Sequence, residues 1–180
     1  MLIDAAKAIL MMVDVQERLL PAIAHKAAVE KNSAILLQAA RQMQVPAVVS
    51  QQYPKGLGQT VPSLAQFVPE GSTFDKVEFS CARDPALMNH IAGLGRTQAV
   101  LCGVEAHICV LQTALDLKDR GYEVFVAVDA IGSRADLSVD VARARMAAAG
   151  VSLVTSEMVV FEMMRTAASP QFKALSKLIQ

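Results

Sequence analysis

The chain of 180 residues is 53% hydrophobic and 19% charged, which excludes intrinsic disorder and suits one globular domain spanning residues 1–180. Seventeen basic and seventeen acidic side chains leave a formal charge of zero without a basic stripe, so no nucleic-acid partner is expected. No apolar run approaches the roughly 18–20 residues that cross a bilayer, and no membrane partner is expected either.

The first apolar run is Ala8–Val13. The stretch before it carries Asp4 and Lys7 and lacks a basic region followed by a cleavage site, so it reads as mature protein. Val45–Ser50, Ala99–Val104, Tyr122–Val128 and Val151–Thr155 follow, each apolar on nearly every residue. That pattern suits strands covered on both faces, as in a parallel sheet. Segments of helical period, Lys26–Met43, Ala106–Arg120 and Asp136–Ala149, separate them, with Gly121 and Gly150 as stops. Repeated strand–helix–strand units predict a single-domain, doubly wound α/β fold. Two stretches break the rhythm. Gln51–Pro62 reads as a long loop after the second strand, and Phe67–Arg83 as an irregular segment with one brief strand. Ligands of open α/β sheets bind at the carboxyl ends of the strands, where such loops emerge.

Cysteines stand at 81, 102 and 109, an odd number without a CxxC pair. This forms neither a disulfide framework nor a zinc site and points to a reducing, cytoplasmic compartment. His25, His90 and His107 show no metal-ligand spacing. Gly56-Leu-Gly58 lacks the third glycine of a dinucleotide loop, and neither a phosphate-binding GxxxxGK[ST] nor a GxSxG elbow occurs. No cofactor and no metal are expected.

Three residues carry candidate chemistry. Cys109, in Cys102-Gly-Val-Glu-Ala-His-Ile-Cys109-Val, falls in the first turn of a predicted helix, where unpaired N–H groups lower a thiol's pKa. It also reads as a small buried hydrophobe, as Cys102 does within its strand. Asp14 ends the first strand on the same rim, and with Glu17 three residues on it also fits a capping box. Lys76, between Phe74, Val77 and Phe79, sits in a partly covered segment.

In this chain order, Asp14, Lys76 and the Gly-Val-x-x-x-x-Cys-Val elbow resemble the isochorismatase-like cysteine hydrolase superfamily. Ser50-Gln-Gln-Tyr-Pro-Lys-Gly-Leu-Gly-Gln-Thr-Val-Pro62, Leu101-Cys-Gly-Val-Glu-Ala and Ser169-Pro-Gln-Phe-Lys look like its isochorismatase domain-containing branch. The resemblance implies about six parallel strands with helices on both faces. It also implies a triad of Asp14, Lys76 and Cys109, and a cis peptide at Val104–Glu105 with the N–H groups of Glu105 and Cys109 as an oxyanion hole. Family members are commonly homo-oligomers.

In that scheme Asp14 accepts the thiol proton, Lys76 favours the thiolate, and the sulfur attacks a carbonyl. The expected substrate is a small molecule with an amide-type C–N bond, in a pocket lined by Gln16, Gln51, Tyr53, Phe79, Glu105 and His107. Nicotinamidases of the superfamily carry an Asp-x-His metal pair after the second strand, where this chain has Ser50, Gln51, Gln52 and Tyr53. Two rival readings stand beside this one: a non-catalytic interaction or assembly protein on the same fold, and an isochorismatase-type ether hydrolase, which needs no nucleophilic thiol.

Overall fold

The computed structural model describes residues 1–179. In chain order its main elements are β1 (Ala8–Val13), α1 (Lys26–Gln42) and β2 (Ala47–Gln52), then α2 (Pro54–Leu57), α3 (Pro62–Ala65) and β3 (Thr73–Lys76). There follow α4 (Pro85–Gly93), β4 (Gln98–Val104), a π-helical turn (Ala106–Val110) that runs into α5 (Leu111–Asp119), and β5 (Glu123–Gly132). The chain closes with α6 (Asp136–Ala148), β6 (Ser152–Val154), α7 (Ser156–Met164) and α8 (Phe172–Leu178).

All strand pairs are parallel, and the six strands lie in the order β3-β2-β1-β4-β5-β6. Every residue of β1 is buried because successive side chains serve opposite layers. Leu10 and Met12 join Val49, Val100 and Phe125 under α1, α7 and α8. Ile9, Met11 and Val13 join Val48, Leu101 and Val126 under α4, α5 and α6. Helices thus cover both faces, which leaves the carboxyl rim as the place where loops and polar groups meet.

Several expected boundaries move, each for a tertiary reason. β2 runs on to Gln52 instead of ending at Ser50, because Gln51 and Gln52 pair with Asp75 and Lys76 of β3. β5 continues past Val128 to Gly132, across a register shift that pairs Gly103 with Ile131 and Val104 with Gly132. The expected loop Gln51–Pro62 contains all of α2 and the start of α3. Asp84 caps α4 by accepting from the Leu87 N–H at 2.9 Å, with Pro85 at the first helical position. Among the described residues no helix is long and apolar enough to cross a membrane.

Candidate active site at the sheet rim

β1 lies at the centre of the sheet, paired through Val13 with Ser50 on one side and with Gly103 on the other. Asp14 is the next residue, so its carboxylate emerges where the ends of β2 and β4 flank it. Its backbone turns into the left-handed region (φ 52°), and its N–H donates to Ser50 O at 3.1 Å. No helix starts there, and the carboxylate does not cap one. Oδ1 accepts from Ser50 Oγ at 2.7 Å, and Oδ2 accepts from Lys76 Nζ at 2.7 Å.

Lys76 closes β3 opposite Gln52. All three ammonium protons have acceptors: Asp14 Oδ2, Gln52 Oε1 at 2.7 Å and the Phe79 carbonyl at 3.2 Å. The side chains of Asp14 and Lys76 are both 0% exposed. A buried charge is tolerated only when paired and hydrogen-bonded, and this pair meets both conditions. Burial by itself would depress the Lys76 ammonium. The Asp14 charge, with smaller contributions from Cys81 and Cys109, reverses this and holds it above 10.5.

Cys109 reaches the same point from the π-helical turn after β4 and is 6% exposed. Its thiol lies within hydrogen-bonding reach of the Asp14 carboxylate. Burial pushes the thiol up, the Asp14 charge pushes it further, and Lys76 only partly opposes them. The expected lowering at a helix start is therefore reversed: Cys109 holds its proton at rest beside a carboxylate that can accept it. Cys81, fully buried nearby, is likewise raised by burial and by Asp14. Cys102, inside β4, is pushed up to about 12 by burial.

Gly103 makes this convergence possible. A Cβ there would sit 2.1 Å from the Val13 carbonyl oxygen, and φ is +110°. Only glycine lets β4 run so close to the end of β1.

The Val104–Glu105 peptide is cis, as the resemblance implied. The Glu105 carbonyl accepts from the N–H groups of Ile108 and Val110 at 3.1 and 3.2 Å, whereas the Glu105 N–H has no acceptor among the described residues. The Glu105 carboxylate accepts from the Arg134 N–H and Nε, both at 3.2 Å. His107 Nδ1 is 2.9 Å from Ser133 Oγ.

The remaining expected residues scatter. Gln16 is fully buried and staples the loop after β2, donating to the carbonyls of Gln52 and Gly58 at 3.0 and 2.7 Å. The Gln51 side chain pairs with Thr60 Oγ1 at 2.9 Å. Both side chains are spent on ordering the loop. Tyr53 lines a cleft of about 570 Å³ beside Lys76, with Pro54, Asp75 and Val77. Phe79 contributes its carbonyl to Lys76, while its ring is exposed. Sequence reasoning missed Ser50 and Gln52 as partners of the carboxylate and the ammonium. Among the described residues no group of three or more His, Cys, Asp or Glu side chains is placed to hold a metal ion.

A parallel α/β sheet with a thiol, a carboxylate and an ammonium gathered at its carboxyl rim defines a class of hydrolase-like folds. Residues 8–158 match the family model for the isochorismatase domain, and the chain belongs to the isochorismatase family. It is 42% identical over 174 residues to mouse isochorismatase domain-containing protein 2A, covering 96% of this chain and 82% of that protein. The structure of MAR1 ribonuclease from Caenorhabditis elegans superposes with a TM-score of 0.94 at 37% identity, covering 99% of this chain and 92% of that one. YcaC from Pseudomonas aeruginosa, solved with hexane-2,5-diol and covalent acrylamide, has a TM-score of 0.91 at 25% identity, with 99% and 96% covered.

Proposed function

We propose that this protein is a cysteine hydrolase that cleaves an amide-type C–N bond of a small molecule through a thioester on Cys109. The observation that carries the reading is the fully buried Asp14–Lys76 pair at 2.7 Å, with the Cys109 thiol in reach of the same carboxylate. A buried ion pair is weak evidence for stability alone, and a nucleophile beside it supplies the reason to keep it.

The neutral thiol passes its proton to Asp14 as sulfur bonds to the carbonyl carbon. Lys76 stays an ammonium and offsets the negative charge that moves onto sulfur and then onto oxygen. The N–H groups of Glu105 and Cys109 receive that oxyanion. Collapse breaks the C–N bond, and protonated Asp14 gives its proton to the leaving nitrogen. Water then loses a proton to Asp14 and attacks the thioester; the acid departs and the thiol is restored. No step uses a metal: at the β2 end, Ser50 and Gln52 present a hydroxyl and an amide, both already bonded to Asp14 and Lys76.

The covalent acrylamide on the Pseudomonas aeruginosa relative supports the nucleophile in this reading, since acrylamide is captured at its electrophilic alkene carbon with the amide left intact. The name of the Caenorhabditis elegans relative raises ribonuclease activity, which a chain of zero formal charge does little to favour. Val77 and Phe79, 71% and 54% exposed beside Lys76, are apolar side chains that a second copy would cover in a homo-oligomer. Three free cysteines suit a reducing, cytoplasmic setting.

A panel of primary amides and carbamoyl compounds, read by ammonia release, tests the reading, with single-stranded RNA as a further arm. Release that disappears in Cys109→Ala supports it. RNA cleavage without amide turnover, or amide turnover that survives Cys109→Ala, would overturn it.

A further inference from the structure

Glu105 is tied down on every side but one. Its carbonyl is taken by the N–H groups of Ile108 and Val110, and its side chain is 8% exposed, with Oε2 accepting both from the Arg134 N–H and from Arg134 Nε at 3.2 Å. Arg134 leaves the end of β5, which is itself paired to β4 through Val104 and Gly132. The preceding residue makes a second tie, from Ser133 Oγ to His107 Nδ1 at 2.9 Å. The Ser133 carbonyl accepts from the Ala24 N–H at 2.9 Å, which anchors this exit to the segment leading into α1. The β5 exit therefore grips the cysteine elbow at two points, and the backbone group of Glu105 left free is its N–H.

We infer that Arg134 is a positioning residue: through the Glu105 carboxylate it holds the Glu105 N–H where negative charge develops on the substrate carbonyl oxygen. The inference rests on the cysteine-hydrolase reading above. Its physical content is preorganisation, since a donor aimed in advance stabilises the transition state without reorganising. Two donors of one residue, the Arg134 N–H and its guanidinium Nε, meet on a single oxygen of a buried carboxylate and fix its orientation, and the planar guanidinium holds that direction better than a freely rotating ammonium would.

Two reactions of one thiol separate orientation from reactivity. Acylation of Cys109 by p-nitrophenyl acetate builds an oxyanion; alkylation by iodoacetamide displaces iodide at a saturated carbon and builds none. Arg134→Met is expected to slow acylation by about tenfold or more, below the 10²–10³ typical of deleting an oxyanion donor, and to leave alkylation within about twofold. Glu105→Gln, which keeps an acceptor but weakens the clamp, falls between Arg134→Met and wild type, and Arg134→Lys restores part of the rate. Unchanged acylation in Arg134→Met overturns the inference, and so does an equal fall in both reactions, which marks general damage to the elbow. Wild-type Cys109 that accepts neither reagent would instead overturn the hydrolase reading beneath it.

Discussion

Replacing Lys76 by Met removes one charge from the fully buried pair while keeping the bulk of the side chain. At 2.7 Å and an effective dielectric constant of about 20, the attraction between Lys76 and Asp14 is roughly 6 kcal/mol before desolvation is subtracted. Once the ammonium is gone, the Asp14 carboxylate keeps only neutral side-chain donors, the Ser50 hydroxyl and the Cys109 thiol, and no countercharge. Leaving such a charge uncompensated typically costs about 3–5 kcal/mol, which lowers Tm by roughly 6–20 °C in a chain of this length. Asp14→Asn together with Lys76→Met neutralises both partners, and the double variant should regain about 1–4 kcal/mol over Lys76→Met. Urea unfolding of wild type, both single variants and the double variant gives the complete cycle. A loss below about 1 kcal/mol in Lys76→Met, the scale of an exposed pair, would refute the reasoning. Strict additivity in the double variant would refute it equally.

Asp14→Asn should lower amide turnover by about 10²-fold or more, yet speed iodoacetamide alkylation of Cys109 at pH 8, because the carboxylate's charge is one of the forces raising the thiol; a parallel slowing in both assays would contradict this. Gly103→Ala drives a Cβ to 2.1 Å from the Val13 oxygen at positive φ and should cost about 3 kcal/mol or more in the urea midpoint. Burial pushes the Cys102 thiol from its ordinary 9.0 up to about 12, so between these pH values the unfolded chain loses its proton first. Stability then falls as pH rises, by up to about 1.4 kcal/mol per pH unit. Cys102→Val should flatten that alkaline slope in denaturation measured from pH 8 to 11.

Five strands were legible as apolar runs, most plainly where both faces are buried, as in Ala8–Val13, and the sixth only as one brief strand somewhere within Phe67–Arg83. β3 is a short edge strand whose residues are mostly exposed or half-buried, so its local sequence carries only a faint signal. The helices α4 and α7 announce themselves through Asp84 and Thr155, caps whose meaning depends on the turns that follow. Asp14 and Glu17 have capping-box spacing, but the register of three strands overrides it and sends the carboxylate to Ser50 and Lys76. The same register makes Ser50 and Gln52 partners of the site. It depends on which residues end neighbouring strands, and no local pattern encodes that. The state of Cys109 followed a similar course: its position after β4 was readable, whereas the thiol's raised pKa depends on burial and on Asp14, a residue 95 positions earlier in the chain.

The account stands or falls on sulfur as the atom that takes the acyl group. Mixing the protein with a turned-over amide, quenching in acid within one turnover and mapping the peptides should find the acyl mass on Cys109, with none on Cys81 or Cys102 and none in Asp14→Asn. Turnover at the wild-type rate with no acyl mass on Cys109 at any quench time would contradict it.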